Sequence, residues 1–504
     1  MFTLALLPIL LILYLMVARR WGAARAGAAG YLAALAVSIF FFGAGVELLA
    51  YAHARALLLA FDVLYIVWAA FLHFRVADEA GAIQAMGEAL QRLTRNRGML
   101  ALILGFAFAS FLQGIGGFGV PIAIVAPMLV GLGFTPLSAV VIPAVGHSWS
   151  VTFGSLGSSF QALMAATSLP GTELAAPAAT LLGAAGVGAA LAVLHAADGW
   201  AAVRRLWGLA LVLGVGMGGV QYFMAAAGFW NLAGTVAGLA GLIASILLAR
   251  FLKDEGTAPL ADGKSVWLAL SAYLVLIGIM LGVQLIPGIA APLGQAALRV
   301  EFPETATSLG VINPGETGRV IHWFSHGGAI LMYSALVGFI VYQRAGWYRA
   351  GAARRIVGGT IAGVLSSSLG VVSMVAMAVI MGQSGMTDTL ARGLAVGVGR
   401  AFPVVAPLIG ALGAFMTGSN TNSNVIFAAL QLRTANILGL AAPWVLAAQT
   451  AGGAVGSVIA PTKVVVGAAT AGMEGREGEV IRRLAGYIAF LLVIILVVFL
   501  FKVG

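Results

Sequence analysis

Apolar stretches of membrane-spanning length recur along almost the whole chain, and they restrict the folds that it can adopt. A transmembrane helix needs about 17–25 mainly apolar residues. Such runs lie at 2–18, 29–50, 54–74, 175–196, 206–228, 229–250, 266–287, 320–342, 356–382 and 484–502. Because the chain is 61% hydrophobic and only 9% charged, it cannot build the charged surface of a soluble fold. We therefore predict an all-α polytopic membrane protein.

The charged residues are few, but their positions indicate an orientation. Basic clusters lie between apolar stretches, at 19–25, 92–97, 204–205, 250–264, 344–355 and 476–483. The positive-inside rule places them all in the cytoplasm, with both termini outside and the chain crossing the inner (plasma) membrane many times. The net charge of +10 is therefore no sign of nucleic acid as a partner. The absence of cysteine excludes disulfides, thiolate metal sites and a cysteine nucleophile.

Two apolar regions, 99–167 and 402–470, are interrupted by Gly, Pro, Ser, Thr and Asn, and they resemble each other. Gly154-Ser155 and Gly456-Ser457 lie 302 positions apart, and short amphipathic stretches at 77–97 and 386–400 precede the two regions. Matched interruptions of this kind indicate a transporter site. In the predicted topology, the chain enters the first region from the cytoplasmic side of the membrane and the second region from the outer side.

We predict about twelve spans plus two re-entrant hairpins in inverted-topology repeats, arranged as a scaffold and an elevator transport domain. The predicted parts are a first repeat over 1–205, a linking helix pair over 206–265 and a second repeat over 266–504.

Two polar stretches, Gly114 to Pro121 and Gly418 to Asn424, are predicted to be non-helical at membrane depth. Irregular backbone is tolerated there where it lines a polar cavity. Each stretch would begin a half-helix, whose free N–H groups and partial positive charge suit a carboxylate. The alternative is that these residues are polar helix caps within a bundle.

Several motifs resemble the lactate permease family over most of the chain. They are Ala109 to Gly114, Gly117 to Pro121, Gly131 to Phe134, Gly418 to Thr421, Ala448 to Gly453, Ile459 to Pro461 and Gly475 to Glu479. The resemblance implies proton-coupled uptake of lactate, glycolate or a similar 2-hydroxy monocarboxylate. It also implies kinship with elevator transporters built from paired hairpins, in which homodimers are common. Two positions depart from the family pattern, Gln113, which is commonly acidic, and His147-Ser148-Trp149-Ser150, which commonly reads Asn-Thr and small residues.

The substrate-binding candidates lie in the two broken regions. They are Gln113, Gly114, Gly117, Gly119, His147, Ser148, Ser155, Gly418, Ser419, Asn420, Thr421, Asn422, Asn424, Gln449 and Lys463. Thr417, Ser158 and Gln161 are further polar groups in matched places. Lys463 could neutralise the substrate carboxylate, or it could extend to the cytoplasmic interface. His147 could relay protons or be a satisfied polar residue between helices.

The other candidates for carrying the proton are Glu47 and Asp62, in the second and third predicted spans. Structural pairing, for example with Arg55, is the alternative role for either. His322 and His326, four residues apart, would share a helix face and could ligate a metal, but no third ligand is evident and we predict no metal site. Trp323 and Phe324 suggest an interfacial belt instead.

We expect no cofactor and no enzymatic activity. The chain lacks a nucleotide-binding loop, so ATP-driven pumping is excluded. Three alternatives remain open, namely sodium coupling with another small organic anion, a membrane-embedded enzyme using His147 and nearby serines, and a passive channel. The sequence does not identify the organic acid.

Overall fold

The computed structural model describes residues 1–19, 21–117, 119–251, 265–318 and 320–503. Its first helices are α1 (Phe2–Val17), α2 (Ala23–Phe42), α3 (Val46–Glu79), α4 (Ala82–Gln91), α5 (Arg97–Leu100), α6 (Ala109–Ile115), α7 (Val120–Gly131), α8 (Pro136–His147), α9 (Ser158–Thr167), α10 (Gly171–Ala226), α11 (Trp230–Phe251), α12 (Val266–Leu285) and α13 (Pro287–Gly294). The later helices are α14 (Gly327–Arg344), α15 (Ala352–Gln383), α16 (Met386–Val398), α17 (Phe402–Thr417), α18 (Asn420–Leu438), α19 (Ala442–Gly456), α20 (Pro461–Thr470) and α21 (Glu477–Val503).

Ten helices of the described residues are long and apolar enough to cross a membrane, which confirms the prediction of a mainly helical multi-pass protein. The break predicted between the runs 29–50 and 54–74 was wrong in position. The break lies at Gly43–Gly45, where Gly43 adopts a left-handed φ of +69° and ends α2, and Gly45 precedes α3. A glycine adopts that conformation without the steric cost that a Cβ brings. Most of the basic cluster at 250–264 lies outside the described residues.

Two helical hairpins, preceded by short helices, occupy the predicted broken regions. In hairpin 1 the first limb runs from α5 through a π-helix (Ala101–Phe108) to α6, and α7 is the second limb. In hairpin 2 the limbs are α17 and α18, and the amphipathic α4 and α16 precede the two hairpins. Every residue in the apolar window of Arg97–Ile115 is buried. Other parts of the protein therefore surround the first limb.

Each hairpin is followed by a discontinuous helix. Between α8 and α9 lie two 3-10 turns, Ser148–Ser150 and Ser155–Gly157, and Leu156 has a non-helical φ of 55°. Between α19 and α20 lies the 3-10 turn Ser457–Ile459, and Pro461 opens α20 after a bend of 40°. Proline has no N–H to continue a helix, so a new helix begins there.

A β-hairpin arm over residues 297–322 contradicts the prediction of an all-α fold. Its three antiparallel strand pairs are β1 (Ala297–Leu298) with β6 (Ile321–His322), β2 (Glu301–Phe302) with β5 (Glu316–Thr317), and β3 (Thr305–Ala306) with β4 (Ile312–Asn313). At the end of the arm, Ser308 N–H donates to Gly43 O (2.9 Å) and Asn313 Nδ2 donates to Gln383 O (2.9 Å). The predicted span 320–342 therefore becomes helical only at Gly327.

The buried apolar side chains fall into two main cores. The first surrounds hairpin 1, α8, α10, α19 and α21. The second is formed by α1, α2, α3, α15 and α16, and it includes Val425, Ile426, Phe427 and Leu430 of α18 and Ala162 and Ala165 of α9. Hairpin 2 and α9 thus connect the two cores.

Candidate functional site

Between its two limbs, hairpin 1 carries three glycines, Gly116, Gly117 and Gly119. Gly117 and Gly119 have φ values of +64° and +87°, which L side chains rarely adopt. A Cβ on Gly117 would also collide with Ser155 Oγ, in the break between α8 and α9. Gln113 lies against the same break between α8 and α9, because its Nε2 would be 2.7 Å from a Cβ on Gly154, the residue before Ser155. The break predicted over Gly114 to Pro121 is confirmed at its glycines but was wrong at both ends, because α6 extends to Ile115 and α7 begins at Val120. Phe118 lies outside the described residues.

Hairpin 2 turns within two residues, so the prediction that 418–424 is non-helical was wrong beyond Ser419. Gly418 ends α17 with a left-handed φ of +71°. Ser419 then caps α18 by accepting a hydrogen bond from Asn422 N–H (3.3 Å). Because this cap satisfies an otherwise free donor, the asparagines continue as the first turns of α18.

The start of α20 lies between the two hairpin tips. A Cβ on Gly418 would collide with Thr462 Oγ1, and a Cβ on Gly119 would be 4.0 Å from Lys463 Cγ. The N-termini of α7, α18 and α20 therefore meet at one place, which we call the tip cluster. The N-terminus of α9 lies beside it, since Ser159 Oγ is 3.0 Å from Thr421 Oγ1. Helix N-termini that lie close together add their partial positive charges, and this arrangement suits an anion.

Lys463 carries the charge of the tip cluster. It is 7% exposed, and its Nζ donates to Ser457 Oγ (3.0 Å). The ion pairs found among the described residues do not include it. A buried ammonium without a carboxylate is costly, so this site is poised to receive an anion from outside the chain. Thr462 next to it is exposed, which leaves the cluster a way to the protein surface.

His147, the last residue of α8, interacts electrostatically with Lys463. The imidazole is fully buried, and its Nδ1 is 2.5 Å from Pro143 O of its own helix. Within the described chain, Nε2 has no hydrogen-bond partner. Ser148 donates to Val145 O (2.7 Å) and is satisfied locally.

The asparagines of α18 converge on a hydroxyl that sequence reasoning missed, that of Thr450. Asn424 Nδ2 donates to Thr450 Oγ1 (2.9 Å) and to Ser159 O (2.9 Å). Asn420 Nδ2 donates to Thr450 Oγ1 (3.3 Å) and to Thr152 Oγ1 (3.1 Å). Thr450 stands in the motif Ala448 to Gly453, but no spacing relates it to Thr152, 298 positions earlier.

The amide oxygens of these side chains remain unused. Among the described residues, Oδ1 of Asn420, Asn422 and Asn424 and Oε1 of Gln113 are buried and have no donor. Unpaired buried acceptors are rare in folded proteins, because each one loses its hydrogen bonds to water. Oδ1 of Asn420 lies against Gly453 of α19, where a Cβ would collide with it. The other oxygens can accept from a substrate hydroxyl or bind a cation.

Thr450→Val tests the role of this network. Valine keeps the shape of the side chain but removes the acceptor, so the amides of Asn420 and Asn424 lose a shared partner. Leaving such groups unsatisfied costs about 1–3 kcal/mol, and we expect a lower melting midpoint in detergent and slower uptake. Thr470→Val is the matched control, because Thr470 is exposed and bonds only to its own helix. Equal melting midpoints for the two variants would contradict the role assigned to Thr450.

Other predicted site residues lie elsewhere. Gln449 donates to Ser423 Oγ (3.1 Å) and accepts from Gln431, so it joins α19 to α18 away from the tips. Gly114 packs on α11, where a Cβ would be 2.7 Å from Thr235 N. Glu47 is exposed in the first turn of α3.

Arg55 was the wrong example of a structural partner for Glu47 or Asp62. Arg55 pairs with Glu316 of the arm, and Asp62, which is 1% exposed, receives His326 Nε2 at 3.0 Å. The shared helix face expected of the two histidines was also wrong. His322 lies in β6, whereas His326 caps α14 by accepting from Gly328 N–H (3.2 Å). In the described part of the chain, no group of three His, Cys, Asp or Glu residues could hold a metal.

The family model and the relatives compared by sequence agree on one family. The model of the L-lactate permease family matches residues 1–504. The L-lactate permease of Salmonella typhimurium is 26% identical, covering 95% of this chain and 91% of that protein. The glycolate permease of Escherichia coli is also 26% identical, with the same coverage of 95% and 91%. Among solved structures, MtrF of Neisseria gonorrhoeae is 15% identical with a TM-score of 0.49, covering 91% of this chain and 84% of that one.

Proposed function

Since the chain belongs to the L-lactate permease family, it is a membrane transporter and not an enzyme, and we propose that it carries a small 2-hydroxy monocarboxylate across the inner membrane. Both L-lactate and glycolate permeases are among its relatives. L-lactate and glycolate share a carboxylate with an adjacent hydroxyl, and we propose this chemical group as the feature that defines the substrate class.

The observation that carries this proposal is the tip cluster with Lys463 inside it. The substrate carboxylate would accept hydrogen bonds from the Lys463 ammonium and lie in the positive potential at the starts of α7 and α20. The substrate hydroxyl would donate to the unused Oδ1 of Asn424. Lysine and substrate would then neutralise each other, which lowers the cost of holding a charge at membrane depth.

Transport would proceed by an elevator motion of two inverted repeats, with twelve spans and two re-entrant hairpins. Matched glycine contacts in the two halves support this proposal. A Cβ on Gly146 of α8 would collide with Gly105 O of hairpin 1, and a Cβ on Gly452 of α19 would collide with Pro407 O of hairpin 2. The repeats over 1–205 and 266–504 would be joined by 206–265, and the transporter would work as a homodimer.

Proton symport requires a group that gains and loses a proton during the cycle. The Asp62–His326 pair is the best-placed candidate, because a buried carboxylate faces an imidazole at 3.0 Å. Since His326 Nδ1 accepts from Gly328 N–H, its Nε2 carries the proton directed at Asp62. His147 is the second candidate, with a free Nε2 near Lys463. Sodium is the alternative ion, and the unused amide oxygens favour it.

Asp62→Asn tests the proton assignment. The amide keeps the size of the side chain but cannot be charged, so we expect uptake driven by a proton gradient to fall at least about tenfold. Exchange of internal for external substrate, which needs no net proton movement, should continue. Glu47→Gln is the control at an exposed carboxylate of the same helix. Unchanged proton-driven uptake in Asp62→Asn, with loss in His147→Gln, would move the proton site to His147.

The function itself is tested with purified protein in proteoliposomes. Labelled L-lactate and glycolate are offered under a proton gradient, a sodium gradient or neither, and counterflow is measured in parallel. We expect saturable uptake that follows the proton gradient. Uptake that follows the sodium gradient would identify sodium as the coupling ion, and a non-saturable conductance would indicate a channel. If no small monocarboxylate is taken up, the proposed function is wrong.

A further inference from the structure

A cavity of about 710 Å³ lies between the arm, α3, α9, α15 and α18. Its wall includes Val425 and Ala162. These residues follow Thr421 and Ser159 by four and three positions, so the cavity ends about one helical turn from the contact between α9 and α18. The cavity therefore leads from the arm towards the tip cluster.

Arg55 is the buried charge in the wall of this cavity. It is 7% exposed, and its guanidinium lies under the Phe302 ring, with 4.5 Å from Cζ to the ring centroid. Nη1 pairs with Glu316, whose side chain is 56% exposed. Nε and Nη2 are both buried and, among the described residues, have no hydrogen-bond partner. One edge of the guanidinium is thus occupied by the arm, and the other is unused.

The unused edge has the geometry that binds a carboxylate. Nε–H and one Nη2–H point in parallel, and an arginine edge of this kind holds both oxygens of a carboxylate at once. The other side of the same guanidinium already pairs with a carboxylate, because Nη1 donates to Glu316.

We propose that Arg55 forms a second anion site, at the arm end of the cavity, where it captures the carboxylate of the transported acid before the tip cluster does. This proposal rests on the proposed transport of a monocarboxylate. The acid binds the unused edge, where its carboxylate repels Glu316 and shares the one positive charge of the guanidinium, so its arrival weakens the pair that holds the arm to α3 and opens the cavity. Asn313 and Ser308 hold the end of the arm through single hydrogen bonds, which break at small cost.

Two substitutions separate this site from a merely structural ion pair. Arg55→Gln removes the anion site, so we expect the KM for L-lactate uptake to rise about tenfold or more. Glu316→Gln removes the carboxylate that repels the acid, so we expect the KM to fall. A structural latch would instead shift both variants in the same direction, because each one breaks the same contact. Arg55→Lys keeps the charge but cannot bind a carboxylate in a bidentate manner, so its KM for L-lactate should resemble that of Arg55→Gln.

The measurement is initial uptake rate against external L-lactate in proteoliposomes. Arg355→Gln is the matched control, because it breaks a comparable ion pair, with Glu79 (2.7 Å), far from the cavity. The Arg55 site is overturned if wild type takes up lactate and Arg55→Gln has the same KM, or if both cavity variants shift it in the same direction. Failure of the wild type to take up any monocarboxylate would overturn the proposed function and this site with it.

Discussion

Replacing Lys463 by methionine is expected to lower lactate uptake at least about 100-fold while leaving the folded protein as stable as before or more so. Removing one partner of a buried charge pair costs about 3–5 kcal/mol, and each 1.4 kcal/mol is a factor of about ten in affinity. In the proposed complex the partner that loses its pair is the substrate carboxylate. In the empty protein no carboxylate of the described residues pairs with Lys463, so an apolar side chain of similar length removes a burial cost.

The opposite signs of these two effects make the test specific. Uptake and counterflow are measured in proteoliposomes, and the melting midpoint is measured in detergent without substrate. Lys502→Met serves as the control, since Lys502 is an exposed residue in the last turn of α21. If Lys463→Met takes up lactate with wild-type affinity, the substrate anion does not bind at the tip cluster. If it melts well below the wild type instead, Lys463 is a structural residue.

Local patterns were sufficient to predict that 99–167 and 402–470 are interrupted rather than uniform helices. Gly116 to Gly119 could be recognised because a run of glycines and a proline in an apolar stretch breaks a helix. The same reasoning overestimated the break at hairpin 2. The polar run after Gly418 reads as irregular, yet the Ser419 cap allows its asparagines to be helical. Propensity alone does not distinguish an asparagine in a loop from one in a capped first turn.

The β-hairpin arm and the cavity below it could not be predicted in this way. Each strand pair has only two residues per strand, too short for an alternating pattern to appear. The pair between Arg55 and Glu316 joins positions 261 residues apart, and Asp62 and His326 are 264 apart. Such contacts depend on how α3 packs against the arm and α14, which no single segment encodes.

The site residues show the same division between local and long-range information. Lys463 stood out because a charge in an apolar stretch is rare. Its neighbour Gly119 and its position between the hairpin tips follow only from the packing of α20. Gln449 and Thr450 are adjacent in sequence, but one joins α19 to α18 internally and the other meets the asparagines beside the tips.

The packing of α17 against α19 depends on glycines that bring the two backbones together. A Cβ on Gly452 would lie 2.7 Å from Pro407 C and 2.9 Å from its Cα, and a Cβ on Gly456 would lie 2.5 Å from Ala411 Cα. Backbone atoms cannot move aside as a flexible side chain can. Small residues at such crossings are the main source of helix association in a bilayer, where burial from water adds little.

Gly452→Val is therefore expected to cost about 3 kcal/mol or more, at the upper end of overpacking effects, and to leave little folded protein after extraction in detergent. Separation of the two helices would also displace Thr450, two positions before Gly452, from the asparagines of α18. Gly486→Val in α21 is the control, because nothing lies within 4 Å of a Cβ at that position. Yield, size-exclusion profile and melting midpoint are compared for both variants. A Gly452→Val protein with the wild-type midpoint would show that α17 and α19 do not approach this closely, and the geometry assigned to hairpin 2 would have to be abandoned.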